Sequence, residues 1–113
     1  LKNFVTTGLA AFMKPTVQTS NATGIGSTDA TFVGHINPNG FETTYWFEYS
    51  TDPLLGSLIG TGTPRGTVTG TTTRLVQINV NGLQKNTKYY YHLVAMNQEG
   101  TVNGAIVSFT TKK

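Results

Sequence analysis

Short runs of alternating apolar and polar residues, separated by Gly, Pro and Asn, constrain the fold of this chain more than any other feature. After residue 14 no window has the apolar spacing of a helical face, and Gly or Pro interrupts almost every dozen residues. Thr makes up roughly one residue in five, and β-branched side chains favour the pleated surface of a sheet. The sequence therefore predicts a protein built from strands.

The alternation predicts about seven strands with turn signals between them. Six of them are residues 16–19, 30–36, 44–49, 75–80, 89–95 and 105–110, and a short edge strand is expected within residues 50–73. Residues 37–40, 81–82 and 97–100 are turn signals rich in Asn and Gly, and residues 97–104 are expected to form a loop. Strands this short, with no helices between them, cannot be joined by parallel crossovers. The predicted fold class is therefore all-β, an immunoglobulin-like antiparallel β-sandwich.

The same alternation predicts which side chains face the core. The predicted inward set is Ala30, Phe32, Gly34, Ile36, Tyr45, Phe47, Tyr49, Val76, Ile78, Val80, Tyr89, Tyr91, Leu93, Ala95, Val107 and Phe109. Aromatic rings dominate this set, and burying each ring stabilises the fold by a few kcal/mol. Two layers that enclose these rings are expected to leave no cleft between them in which reactive groups could meet.

Composition excludes several classes of protein and site. With 113 residues and 12.2 kDa the chain has the size of one domain, and it contains no apolar run of the length that spans a membrane. The absence of Cys excludes disulfides, zinc-thiolate sites and a Cys nucleophile. The net charge of +3 comes from scattered Lys and Arg rather than from one basic face, so no nucleic-acid partner is expected.

Residues that could carry catalysis do not converge in the predicted fold. Alternation places His35 outside the second strand and His92 outside the sixth, on opposite sheets, so the two are not expected to share a metal ion. No Ser lies in a Gly-x-Ser-x-Gly elbow, and Gly24-Ile25-Gly26 has no helix behind it to bind a phosphate. The sequence predicts a protein that is not an enzyme and holds no cofactor or metal.

The segment before the sixth strand carries a family resemblance. Residues 83–89, Leu-Gln-Lys-Asn-Thr-Lys-Tyr, resemble the Leu-x-Pro-x-Thr-x-Tyr signature of fibronectin type III domains. Lys85 stands where that signature has Pro, which reduces the rigidity of the turn but keeps the spacing to Tyr89. Residues 37–40, 44–49 and 95–97, together with Gly100, resemble the bacterial branch of the family. The resemblance covers roughly residues 15–111, so residues 15–113 are expected to form the domain.

This resemblance implies fibronectin type III topology and a tyrosine corner at Tyr89. The ring of Tyr89 would lie in the core, its hydroxyl would bond to backbone near Leu83, and Leu83 would pack beneath the loop. The resemblance also implies a tandem repeat of a secreted or cell-surface bacterial protein, whose partners are the neighbouring domains of the same chain.

Residues 1–14 have two interpretations. Phe4-Val5-Thr6-Thr7 echoes Phe109-Thr110-Thr111, which is expected if residues 1–14 are the tail of a preceding repeat plus a linker. The alternative is an unrelated arm whose match arises by chance in a chain rich in Thr. In both cases a strand-like, apolar segment needs cover, either on a sheet edge or by self-association with a neighbouring molecule.

An aromatic patch is the most distinctive expected surface feature. Trp46 alternates outward on the third strand, Tyr90 and His92 alternate outward on the sixth, and Glu48 and Lys88 lie beside them. Such a patch could bind a glycan or a protein ligand, or it could be cross-strand packing that stabilises the sheet. The leading function is a non-catalytic spacer or interaction module in a larger extracellular protein. The alternative is the carbohydrate-binding accessory domain of a secreted enzyme that degrades polysaccharides.

Overall fold

Two antiparallel sheets pack face to face in the computed structural model, which describes residues 13–56, 58 and 62–113. The described residues contain strands and no helix, as the alternation predicts. The strands are β1 (Thr16–Thr23), β2 (Ala30–Asn37), β3 (Thr43–Ser50), β4 (Gly66–Val68), β5 (Arg74–Val80), β6 (Lys88–Asn97), β7 (Gly100–Asn103) and β8 (Val107–Thr110). One sheet has the order β1-β2-β5, and the other has β4-β3-β6 with β7 and β8 on the far side of β6. The predicted β-sandwich is confirmed.

Residues 97–104 form a hairpin rather than the predicted loop. The strand β6 extends to Asn97, the chain turns at residues 98–99, and β7 pairs back onto the end of β6. The Asn97 side chain holds this turn by accepting the N–H of Glu99 at 2.8 Å, and Gly100 has a φ of 139° that other residues rarely adopt. Strands β7 and β8 lie end to end along one edge of β6, so eight strands occupy seven strand positions.

The two sheets contact each other at the break between β7 and β8. Opposite the break, the N–H of Leu93 donates to the hydroxyl of Thr19 on β1, at 3.2 Å, instead of to a neighbouring strand. The carbonyl of Leu93 accepts the N–H of Gly104 at 2.8 Å. A side chain at Gly104 would collide with Thr19, so Gly at this position lets β1 approach the edge.

Aromatic rings fill the space between the sheets, on the faces that alternation predicts. The rings of Phe32 and Tyr91 stack at 4.2 Å between centroids and 6° between planes, and Phe47 meets both rings edge-on. Gly34 faces Leu93 across the core, and a Cβ at Gly34 would lie 2.5 Å from the Leu93 side chain. The absence of a side chain at Gly34 therefore gives Leu93 its place in the core.

Tyr91 connects the two sheets through hydrogen bonds as well as through packing. Its side chain has no exposed surface, and its hydroxyl donates to the carbonyl of Ser20 at 2.5 Å and accepts the N–H of Val33 at 3.4 Å. The β1–β2 register shifts just after Ser20, so the phenol bonds to backbone where this ladder becomes irregular. Burial raises the pKa of Tyr91 to about 12, although the Val33 N–H acts in the opposite direction.

The loop before β6 has the contacts of a tyrosine corner. The Tyr89 hydroxyl accepts the N–H of Gln84 at 2.8 Å, and the Tyr89 ring is buried against Phe109. Leu83 is buried beneath the same loop, and its N–H donates to the carbonyl of Thr28 at 2.9 Å. The turn closes without Pro at position 85 because Asn86 adopts a φ of 49°, a conformation that Asn tolerates better than most residues.

Replacing Tyr91 with Phe should lower the free energy of unfolding by about 1–3 kcal/mol, because the Ser20 carbonyl and the Val33 N–H would stay buried without the phenol. Urea denaturation measures the change. Tyr89→Phe is the matched control: it frees an N–H that belongs to the exposed Gln84, where water can replace the phenol, so its loss should be smaller. A Tyr91→Phe variant as stable as the parent would contradict the cross-sheet role of the hydroxyl.

Alkaline pH should weaken the fold through Tyr91. The pKa of Tyr91 rises from 10.0 to about 12 on folding, so above pH 10 the unfolded chain releases a proton that the folded chain keeps. Stability should therefore fall as pH rises from about 10 to 12. Tyr91→Phe should show a shallower fall over this range in thermal melts. Burial also raises the pKa of Tyr49, but Tyr49 is present in both proteins and contributes equally to the pH dependence of both. Equal slopes in parent and variant would show that Tyr91 is not the group responsible.

Candidate functional site

The predicted aromatic patch lies on the outer face of the β3–β6 ladder. Glu48 pairs directly with His92 and Ser50 with Tyr90 in this ladder, so alternation places the predicted residues on one surface. Lys88 lies at the start of β6, and its ammonium group is 5.5 Å from the centroid of the Tyr90 ring. The structure thus brings together all five residues that the sequence singles out: Trp46, Glu48, Lys88, Tyr90 and His92.

Glu48 organises the centre of this surface. One carboxylate oxygen, Oε2, accepts the indole N–H of Trp46 at 3.0 Å, and the other, Oε1, lies 2.9 Å from Nε2 of His92. A carboxylate accepts only, so Nε2 of His92 must carry the proton in this contact. Both oxygens of Glu48 are therefore committed to side chains on its own sheet.

Glu48 remains ionised under ordinary conditions because its neighbours stabilise the charge. Partial burial by itself would raise its pKa, but the hydrogen bonds from His92 and Trp46 and the electrostatic interactions with His92 and Arg65 lower the pKa of Glu48 below its usual value. The ionised carboxylate is thus the form that fits this site, and it serves as the acceptor that holds the indole and the imidazole in place.

Trp46 is covered, which corrects the expectation that its ring is a surface feature. Trp46 and His92 are each only 9% exposed, whereas Lys88 is exposed and Tyr90 is half-buried. The Arg65 guanidinium lies 4.1 Å from the centroid of the Trp46 ring and takes up one of its faces. This stacking is a cation–π contact, in which the cation sits over the negative face of the indole.

Backbone pairing in the segment before β4 explains how Arg65 reaches Trp46. Thr63 pairs with Phe47 at the edge of β3: its N–H donates to the Phe47 carbonyl at 2.9 Å, and its hydroxyl accepts the Phe47 N–H at 2.9 Å. Gly66 then pairs with Tyr45 in the β3–β4 ladder, which leaves Arg65 beside Trp46. Sequence reasoning missed Arg65 because nothing in the local pattern of residues 50–73 indicates which part of that segment pairs with β3.

The arrangement is suited to stabilising the sheet rather than to chemistry. His35 and His92 lie on different sheets, as predicted, and His35 contacts the Ser20 hydroxyl at 3.1 Å through Nδ1. A shallow groove of about 190 Å³ runs beside His35 on the outer face of β1 and β2, lined by Thr16, Val17, Gln18, Asn37 and Thr73. Within residues 13–56, 58 and 62–113 no three metal-ligating side chains cluster, and no helix has the length and hydropathy to cross a membrane.

The chain enters and leaves the sandwich at opposite ends. The end of the sandwich that contains residues 13–15, 37–42 and 97–100 is called the entry pole. The opposite end, which contains residues 26–30, 50–56, 81–88 and 111–113, is called the exit pole. At the entry pole, the carbonyls of Met13 and Lys14 accept the side-chain amides of Asn97 at 3.0 Å and Asn39 at 2.7 Å. At the exit pole, Lys112 forms two backbone hydrogen bonds of 2.9 Å.

The strand β2 runs from one pole to the other. At the entry pole, Thr16 pairs with Asn37, the last residue of β2. At the exit pole, Lys112 bonds to the loop that precedes Ala30, the first residue of β2. Eight residues of strand at roughly 3.3 Å each separate the two poles by about 26 Å.

The expectation about residues 1–14 falls largely outside the described residues, of which only Met13 and Lys14 belong to that segment.

A loop at the exit pole, held by hydrogen bonds to Asp52, exposes Leu54 to solvent. The Asp52 carboxylate accepts the N–H groups of Leu54 at 3.0 Å and Gly56 at 2.9 Å, and Leu55 adopts a φ of 55° that is uncommon for Leu. The Leu54 side chain is 82% exposed, the largest value among the exposed large apolar residues that the structure describes. Asp followed by Pro is a turn signal, but exposure of this Leu is not readable from the sequence.

Comparisons with known proteins identify the fold. No family profile and no curated protein sequence matches the chain. Among solved structures, the sensor domain of the anti-sigma factor RsgI4 in Pseudobacteroides cellulosolvens matches with a TM-score of 0.65 and 11% identity, over 88% of this chain and 96% of that one. The fibronectin type-III domain of human fibronectin type III domain containing protein 3 matches with a TM-score of 0.52 and 20% identity, over 85% and 84%.

A further similar structure, PhoD, has a TM-score of 0.55 and 15% identity, and the match covers 98% of this chain but only 20% of PhoD. At these identities the likeness concerns the fold. The sheet order, the tyrosine corner and these neighbours together show that the chain has a fibronectin type III-like fold. The resemblance seen in residues 83–89 is confirmed at that level.

Replacing Arg65 with Ala should uncover Trp46 and destabilise the domain by about 0.5–1 kcal/mol, the value of an exposed cation–π contact. Trp46 is the only Trp of the chain, so its fluorescence reports on this site alone. We expect a shift of its emission to longer wavelength and stronger quenching by acrylamide. Arg74→Ala is the matched control, because Arg74 is an exposed Arg on the other sheet. Equal quenching in parent and Arg65→Ala would show that Arg65 does not cover the ring.

Proposed function

We propose that this domain is a non-catalytic spacer and contact unit, one part of a longer extracellular or cell-surface protein. The observation that carries the proposal is the position of entry and exit at opposite poles, about 26 Å apart along β2. A domain with this geometry separates whatever is joined to its two ends by its own length. A domain whose ends lie side by side would not have this effect.

The hydrogen bonds at both poles support a defined separation rather than a loose one. Asn39 and Asn97 fix the backbone of residues 13–14, and Lys112 is bonded both to Asn86 and to Gly26. The directions in which the chain enters and leaves are therefore set by the fold. Leu54, which stands at the exit pole on a loop that Asp52 holds, is placed to contact a following unit.

The packing of the described residues supports a non-catalytic role. Aromatic rings fill the space between the sheets, and the His35 and His92 side chains lie on different sheets. A domain of similar fold makes up about one fifth of PhoD, which illustrates that such a sandwich can be one part of a larger protein. The low charge and the surface rich in Thr fit an extracellular location.

No observation favours the carbohydrate-binding alternative. Sugar rings stack on open aromatic faces, but Trp46 is 9% exposed and carries the Arg65 guanidinium on its ring. Sugar stacking on Trp46 would require Arg65 to leave this position, with loss of the cation–π contact. We therefore place the contact function at the poles and not on the outer face of the β3–β6 ladder.

Length scaling tests the spacer function. One, two and three copies of the full chain are placed between a donor and an acceptor fluorescent protein, and the energy transfer is measured. Ordered copies should lengthen the separation in nearly equal steps, because each adds its own pole-to-pole distance. Control linkers of Gly and Ser with the same numbers of residues should lengthen it only as the square root of length. Copies that scale like the control, or that fold back without adding distance, would contradict the spacer function.

A further inference from the structure

Three Asn-Gly pairs occur in the chain: Asn39-Gly40, Asn81-Gly82 and Asn103-Gly104. In such a pair the backbone nitrogen of Gly can attack the side-chain carbonyl carbon of the preceding Asn, since Gly has no Cβ to obstruct the approach. The attack requires the Gly N–H to lose its proton, and a hydrogen-bonded N–H is protected until its bond opens. The local sequence is the same in all three pairs, so the structure decides which of them reacts.

Two of the three Gly nitrogens are held in backbone hydrogen bonds. The N–H of Gly40 donates to the carbonyl of Gly70 at 2.9 Å, and the N–H of Gly104 donates to the carbonyl of Leu93 at 2.8 Å. The Asn39 side chain is tied as well, because its amide donates to the carbonyl of Lys14 at 2.7 Å. Reaction at either pair must first break these bonds.

The Asn81-Gly82 pair differs from the other two. Both residues are exposed and lie outside the strands, and in the described part of the structure neither the Gly82 N–H nor the Asn81 side chain has a hydrogen-bond partner. Gly82 has a φ of 77°, and no atom outside residues 81–83 lies within 4 Å of the position that a Cβ would occupy. The backbone is fixed on either side of the pair, by Val80 pairing with Ala30 and by the Leu83 N–H on Thr28.

We propose that Asn81 is a site of spontaneous covalent modification, with water as the co-reactant. The deprotonated nitrogen of Gly82 forms a bond to Cγ of Asn81, the bond from Cγ to the amide nitrogen breaks, and ammonia leaves with the displaced proton. The resulting five-membered succinimide then takes up one water. Opening at one carbonyl produces Asp, and opening at the other produces isoaspartate. No oxidant or reductant takes part, since the net change is amide plus water to carboxylic acid plus ammonia.

The modification changes the exit pole. It replaces a neutral amide with a carboxylate, so the net charge of the chain falls from +3 to +2. Isoaspartate also inserts a methylene group into the backbone at residue 81, two residues before Leu83, whose N–H bonds to Thr28 and whose side chain packs beneath the tyrosine corner. The added carboxylate lies on the pole that carries Lys85, Lys112 and Lys113. A chain that has aged in this way therefore presents a different charge at one end.

Peptide mapping tests the proposal. The folded chain is incubated at mildly alkaline pH and digested with trypsin, which separates the three pairs because cleavage after Arg74 and Lys85 releases residues 75–85. Conversion at Asn81 should be about tenfold faster than at Asn39 or Asn103, which corresponds to about 1.4 kcal/mol, the order of one hydrogen bond. In urea, where all three nitrogens are free, the three rates should become similar. Asn81→Gln should abolish the fast release of ammonia, whereas Asn103→Gln should retain it.

Amide hydrogen exchange provides a second measurement on the same folded chain. The Gly82 N–H should exchange at nearly the rate of an unfolded peptide, and the N–H groups of Gly40 and Gly104 should be protected. Equal rates of conversion at the three pairs in the folded chain would overturn the proposal. A protected Gly82 N–H, or rates at Asn39 or Asn103 above that at Asn81, would overturn it as well.

Discussion

The hydroxyl of Tyr91 is the contact on which the rest of the sandwich depends. It crosses the core from β6 and bonds to the Ser20 carbonyl and the Val33 N–H, so it sets the spacing of the sheets and the position of the irregular β1–β2 ladder. The chain has no Cys with which to tie its sheets covalently. A buried hydroxyl with both of its hydrogen bonds made takes that role, and its ring supplies the stacking partner of Phe32.

The centre of the outer face of β6 is buried at His92 and Val94, whereas Lys88 and Met96 at its two ends are exposed. Glu48 holds Trp46 and His92 against the sheet, and Arg65 covers the indole from the neighbouring edge. These contacts use both carboxylate oxygens of Glu48, the indole N–H of Trp46 and Nε2 of His92. The contacts that we propose accordingly involve the poles, where Leu54 and the exposed turns lie outside the sheets.

Similarity to the RsgI4 sensor domain at 11% identity shows how few residues such a fold requires in common. This chain forms the fold with aromatic rings at alternating positions, a Tyr whose hydroxyl accepts a hydrogen bond from the loop before β6, and glycines where the sheets approach closely. Many sequences meet these packing conditions, so the fold is shared while the surfaces diverge.

The sequence by itself determined most of the strands and the faces they bury, because a period of two acts over a few neighbouring residues. The tyrosine corner was expected from the resemblance of residues 83–89 to fibronectin type III domains. Only the tertiary structure decided that Arg65 covers Trp46, that Gly34 makes room for Leu93, and that residues 100–103 pair as a strand. It also distinguished the pair at 81–82 from two others with identical local sequence. Each of these outcomes depends on which distant segment lies alongside, and that information is absent from any short stretch of chain.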